Sequence, residues 1–215
     1  HAGRFRDYDI SKKEWVLEGD SVLYGRWQDL RMAIEYDLEQ ERQFDYTALT
    51  KKQMVKHLAN FISGLWQIHP FAEGNTRTIA IFTIKYLRSQ GFRVNNELFE
   101  LNSWYFRNAL VRANYRNLEK GVNYEPEYLI RFFANLLLGE KWDLRNRYLH
   151  IHPTEEWTVQ PNLAIPEQVP DKYPTSTRQV PDKLHTDNLN IQKLVQIVGE
   201  AKLSVKEMLV AIELK

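Results

Sequence analysis

Apolar residues return every three or four positions over most of the first 140 residues, and that spacing predicts helices. After Gly25, the residues Trp27, Leu30, Ile34 and Leu38 keep helical register. Thr50 followed by Gln53 makes a capping box, and Met54, Val55, Leu58, Phe61, Ile62, Leu65 and Trp66 then form one wide apolar face. This helix should stop before His69-Pro70, because the residue preceding a proline is pushed out of the α region. The next segment, from about Gly74 to Gln90, is apolar almost all round at Ile79, Ala80, Ile81, Phe82, Thr83, Ile84, Tyr86 and Leu87. That pattern predicts a buried central helix. Two further helices are expected, over about 98–117 and 126–138, the latter carrying Tyr128, Leu129, Phe132, Phe133, Leu136 and Leu137.

Two regions break this rhythm. Residues 14–24 read as two short β-prone runs around a Gly19-Asp20 turn, which predicts a small β-hairpin. Residues 151–185 hold six of the eight prolines, which predicts an extended linker or arm. Beyond it, Ile191, Leu194, Val195, Val198 and the run from Ser204 to Lys215 predict a short helical unit over 186–215. It is similar to the front of a helix-turn-helix, as in a truncated winged helix, though DNA contact is not its expected role. The expected organisation is an all-α catalytic domain over 1–150 with one hairpin, then the linker, then that C-terminal unit.

Composition narrows the classes. A net charge of +1 on 215 residues gives no basic footprint for nucleic acid over the whole chain. The absence of cysteine excludes disulfides and thiolate metal sites. No apolar run is long enough to span a membrane, so no membrane partner is expected and a cytoplasmic protein is the simplest reading, with a secreted effector as the alternative. The chain begins at His1 rather than Met and reads as a fragment.

Chemistry concentrates in His69-Pro70-Phe71-Ala72-Glu73-Gly74-Asn75-Thr76-Arg77. A helix starting at Gly74 presents unpaired N–H groups and the positive end of its dipole. Gly74 lets the backbone approach an anion, and Arg77 adds a planar donor fork for phosphate. Glu73 offers a hard oxygen to a phosphate-bridging Mg²⁺, and His69 is able to accept a hydroxyl proton near neutral pH. Phe71 is expected to anchor the loop. Taken singly, each of these residues is more often a turn, a dipole partner or a surface charge. Their joint occurrence favours a site. A metal hydrolase built on His69 and Glu73 is a weaker alternative, because His57, His150, His152 and His185 show no ligand spacing with the loop. The pairs Lys12-Lys13 and Lys51-Lys52 read as solvated faces. The tryptophans read as core or as anchors, and Trp15 on the hairpin is the one placed to grip a partner.

His69-x-Phe71-x-Glu73-Gly74-Asn75-x-Arg77 resembles the signature of the Fic (Fic/Doc) family, His-x-Phe-x-Asp/Glu-Gly-Asn-Gly-Arg-x-x-Arg. The opening Gly3-Arg4-Phe5-Arg6, the hairpin, the preceding helix and Phe106-Arg107-Asn108-Ala109-Leu110-Val111-Arg112-Ala113-Asn114 extend the resemblance over roughly residues 1–140. It implies a helical bundle with a hairpin flap, and transfer of AMP from ATP to a Ser, Thr or Tyr hydroxyl of a target protein. It implies His69 as general base and Glu73 as the ligand of Mg²⁺. Gly74, Asn75, Thr76 and Arg77 would line the anion hole, while Phe106, Arg107 and Asn114 would border the nucleotide base. The target would dock on the 14–24 flap by strand addition.

Two departures bear on this. Thr76 stands at a signature glycine, and Ala80 stands at the final signature arginine, which in relatives pairs with the γ-phosphate. The chain also lacks the inhibitory Ser/Thr-x-x-x-Glu-Gly/Asn motif that captures that arginine. A separate inhibitory protein, or sequence before His1, is the expected restraint. A degenerate scaffold that binds nucleotide or a partner is the alternative to an enzyme.

Overall fold

The computed structural model describes residues 4–152; the C-terminal unit and nearly all of the Pro-rich linker lie outside them. Six helices make up the described part: α1 Leu30–Arg42, α2 Lys51–Ile68, α3 Asn75–Ser89, α4 Glu97–Leu101, α5 Ser103–Asn114 and α6 Glu127–Leu138. Three short 3-10 turns, Trp15–Leu17, Trp27–Asp29 and Asn146–Leu149, complete it. No strand occurs among the described residues, so the domain is all-α.

The long helix α2 begins at the expected capping box. Thr50 Oγ1 accepts the Gln53 N–H, and Gln53 Oε1 accepts the Thr50 N–H at 2.9 Å. Val55, Leu58, Ala59, Ile62, Leu65 and Trp66 are buried along it. This helix packs against α1, α3, α5 and α6. The central helix is therefore α2, not α3 as the apolar run at 79–87 suggested. Ala80 and Ile81 of α3 remain partly exposed, and its buried polar face closes on itself where Thr83 Oγ1 donates to the Ile79 carbonyl at 2.7 Å.

The segment expected as one helix over 98–117 is two. Asn102 leaves helical geometry at φ −123°, and its side chain donates to the Leu98 carbonyl at 3.1 Å, ending α4. From α5, Phe106 enters an aromatic core with Phe99, Phe132 and Phe133, its ring centroid 4.9 Å from those of Phe99 and Phe132.

The hairpin is also corrected. A hairpin strand alternates faces, but Val16 and Leu17 are adjacent and both fully buried. A 3-10 turn satisfies both at once, and the Gly19 and Leu17 N–H groups both return to the Glu14 carbonyl. The chain still reverses here: the Glu14 N–H donates to the Asp20 carbonyl at 2.9 Å. The turn is backed by the end of the described chain, where the Ile151 N–H donates to the Val16 carbonyl and His150 meets Trp15 edge-on at 3.8 Å. Trp15 itself stays partly exposed.

Candidate functional site

The corner between α2 and α3 carries the chemistry, and its shape is enforced from several sides. His69 terminates α2 in the left-handed region, at φ 53° and ψ 57°. That conformation is uncommon for a non-glycine residue and needs surrounding support. Arg6 supplies it. Its buried guanidinium donates to the carbonyls of His69 (2.9 Å), Ile68 (3.3 Å), Tyr8 (2.7 Å) and Gly25. Its own N–H donates to the Pro70 carbonyl. Gly25 matters for proximity: a Cβ there would sit 3.1 Å from the Ile68 carbonyl oxygen and 3.3 Å from its Cα. Sequence reasoning noted Arg6 only as part of a resemblance; a buried arginine that binds backbone carbonyls leaves no periodic signal.

The loop then folds over Phe71, which is buried as expected. Asn75 brackets it: the Phe71 N–H donates to Asn75 Oδ1 at 3.0 Å, and Asn75 Nδ2 donates to the Phe71 carbonyl at 2.7 Å. The Asn75 amide therefore shapes the loop from within. Gly74 takes φ +81°, a conformation open to glycine, and starts α3.

A cleft with about 600 Å³ of open space lies at this corner, lined by Lys12, Trp66, His69, Glu73, Gly74, Asn75, Thr76, Arg77 and Arg107. The imidazole and the start of α3 thus face the same space. His69 Nδ1 lies 3.2 Å from the Trp66 carbonyl, which can only accept, so Nδ1 carries the proton. In the neutral ring, Nε2 is then the basic nitrogen. It is buried and has no hydrogen-bond partner among the described residues. Burial first, then Lys12, Arg6 and Arg107, hold the ring's pKa well below its ordinary 6.5, against the opposing pull of the Trp66 carbonyl. Tyr24 lies against the ring at 4.2 Å and Trp66 meets it edge-on at 5.1 Å.

Not all expected site residues gather here. Glu73, Gly74, Thr76, Arg77 and Arg107 do. Phe106 sits in the aromatic core, and Asn114 joins α5 to α2 by donating to the Ser63 carbonyl and hydroxyl at 3.1 and 2.8 Å. Neither lines the cleft. Two residues were missed. Lys12, expected on a solvated face, forms part of the wall. Glu14 is fully buried behind it, accepting the Tyr24 hydroxyl at 3.1 Å and pairing with Arg107 at 2.7 Å. A charged residue next to the apolar Trp15-Val16-Leu17 run was the available signal. Thr76 Oγ1 accepts the Trp66 Nε1–H at 3.0 Å, so the residue replacing the signature glycine is tied to α2.

With this geometry in view, the comparison with known families is direct. Residues 1–87 match the Fic/DOC family. The Fic/DOC match takes in the 3-10 turn limb, α1, α2, the loop and most of α3; α5 with Arg107 lies beyond it, short of the 1–140 expected. Such a match points to transferase chemistry of the Fic type in general. No curated protein and no solved structure matches the chain. No group of three or more His, Cys, Asp or Glu able to hold a metal occurs among the described residues. His57, His150 and His152 have other partners, respectively Glu41, Trp15 and Glu18, which gives the metal-hydrolase alternative no support. No described helix is long and apolar enough to cross a membrane.

Proposed function

We propose that this protein transfers a nucleoside monophosphate, AMP from ATP, to a hydroxyl of a target protein. The observation that carries the reading is His69 Nε2: the basic nitrogen of the neutral ring, buried, without a hydrogen-bond partner among the described residues, and in the wall of the cleft that holds the first turn of α3. The N–H groups of that turn and Arg77 suit the α-phosphate. In the reaction, the target hydroxyl oxygen attacks the α-phosphorus and its proton passes to His69 Nε2. An oxygen–phosphorus bond forms, the bond from the α-phosphorus to the bridging oxygen breaks, and pyrophosphate leaves. His69 holds its position through Arg6, so the base needs little reorganisation.

Glu73 fits a Mg²⁺ role. It is an exposed carboxylate at the lip of the cleft, beside the phosphate cradle, and Mg²⁺ on nucleotides needs one or two protein carboxylates rather than a cage. Bound there, Mg²⁺ would neutralise phosphate charge. The irregular limb from Asp20 to Arg26, which brings Tyr24 onto His69, is the surface on which the target segment would lie.

Incubation with α-³²P-ATP, Mg²⁺ and a lysate tests the reading. Label should reach protein, and His69→Ala should reduce it by at least about 100-fold. Equal labelling by that variant overturns the role of His69. The scaffold reading draws on Ala80, which packs against the core instead of offering a cation. Tight nucleotide binding with no transfer to any protein would favour it.

A further inference from the structure

The signature's last arginine is absent from α3, yet the cleft is rich in positive charge from elsewhere in the fold. Ala80 packs against the core, whereas Lys12 from the N-terminal limb and Arg107 from α5 both stand in the cleft wall. These two cations differ in what already holds them. Arg107 is paired with Glu14 at 2.7 Å and lies over the Trp104 ring at 5.6 Å, so its fork is fixed in place. Lys12 is half-buried, and its backbone is fixed where its N–H donates to Ser21 Oγ at 3.0 Å. Burial and neighbouring Arg107 both disfavour its charge, while Glu14 and Glu73 favour it only through space. A cation in that state, in the wall of an open cleft, is matched to an anion arriving from outside.

We infer that Lys12 binds the outer phosphates of the nucleotide, with the fixed Arg107 beside it, and so replaces the cation missing at position 80. The inference rests on the nucleotide-transfer reading of this cleft. His69 Nε2 and the first turn of α3 serve the α-phosphate, and Lys12 enters the same cleft from a different element. An ammonium on a flexible stem suits outer phosphates, because it acts as a point charge and does not require bidentate geometry. The phosphates would also replace the water that Lys12 loses by burial, which relieves the strain on its charge. Lys12 also follows the polyphosphate as it becomes pyrophosphate, so it stabilises the leaving group as well as the bound substrate.

The test is calorimetric titration of the full chain with ATP, AMP and inorganic pyrophosphate in Mg²⁺. Lys12→Ala should weaken ATP and pyrophosphate about tenfold while leaving AMP unchanged. Lys12→Arg should restore most of the loss. An unchanged thermal melt for Lys12→Ala separates this effect from misfolding. Unaltered ATP affinity in Lys12→Ala, or equal losses for ATP and AMP, overturns the assignment while the nucleotide reading stands. Failure of the wild-type protein to bind any of the three overturns both.

Discussion

The Arg6 guanidinium donates to the carbonyl oxygen of His69 at 2.9 Å, across 63 residues of sequence. The same group reaches the carbonyls of Ile68, Tyr8 and Gly25, and its side chain is fully buried. It therefore neutralises the carbonyl-rich end of α2 and holds the left-handed turn at His69. Arg6→Ala would leave those carbonyls without a donor. It should cost about 3 kcal/mol in urea unfolding and reduce label transfer further than the stability loss explains. Arg6→Lys should recover part of the stability but little activity, because an ammonium cannot span four carbonyls in one plane. Full activity in Arg6→Ala would show that the corner keeps its shape alone.

The pH dependence follows from the same corner. Burial, then Lys12, Arg6 and Arg107, lower the His69 pKa well below 6.5 in the folded protein, while the unfolded chain keeps about 6.5. Between those values the unfolded state binds a proton that the folded state does not. Stability from neutral His69 is thus intact above about pH 6.5 and falls as the pH drops toward the folded value. The base stays unprotonated across neutral pH, so transfer should be flat there, with its acid limb below 6.5. A pH–rate profile bending at 6.5 or above would contradict the buried, cation-flanked environment of this ring.

What the sequence revealed was what local rules write. The Thr50–Gln53 box and the proline after His69 set both ends of α2, and both sit where expected. The start of α3 at Gly74 follows from glycine's freedom at positive φ. The features that escaped are non-local. The Gly19-Asp20 turn foretold a reversal of the chain, but nothing near Lys12 says that this reversal brings it to the wall of the cleft beside His69. Phe106 and Arg107 are neighbours on α5, and helical phase turns Arg107 toward the cleft and Phe106 into the core, while Asn114 shares the Arg107 face but lies about two turns further along, away from the cleft. The hairpin was misjudged because β-propensity counts residue types, while the simultaneous burial of Val16 and Leu17 depends on what packs against them.

Thr76 offers a direct test of the departure from the signature. Its hydroxyl oxygen already accepts from Trp66 Nε1, which leaves the hydroxyl hydrogen able to donate into the cleft. Thr76→Val keeps the shape but removes both roles. It should cost about 1 kcal/mol in stability by leaving the indole N–H unpaired, and should raise the KM for ATP several-fold. Thr76→Gly should cost similar stability without crowding the phosphates. Improved turnover in Thr76→Gly, with no gain in Thr76→Val, would mean that the threonine side chain obstructs the cradle. Weakened nucleotide binding in both would mean that its hydroxyl contributes.

A buried carboxylate away from the cleft supplies the contrasting case. Glu41 on α1 accepts the hydroxyls of Tyr46 and Tyr86 and pairs with His57 Nε2 at 2.7 Å, joining α1 to α2 and α3. The His57 ring stacks on Phe44 at 3.5 Å, which holds that side of the network in place. Burial raises the pKa of Tyr86 most, with the Glu41 charge adding to it, so the phenol stays a donor throughout the physiological range. Glu41→Ala takes the acceptor from the buried Tyr86 phenol, the half-buried Tyr46 phenol and an imidazole, and should cost about 3 kcal/mol. Glu41→Gln keeps an acceptor and should lose less. Since no member of this network lines the cleft, both variants should lower the melting temperature while the KM for ATP at 20 °C, well below the melt, stays at the wild-type value. A changed KM in the folded Glu41→Gln protein would show that α3 transmits the state of this network to its first turn, where the phosphates are expected to bind.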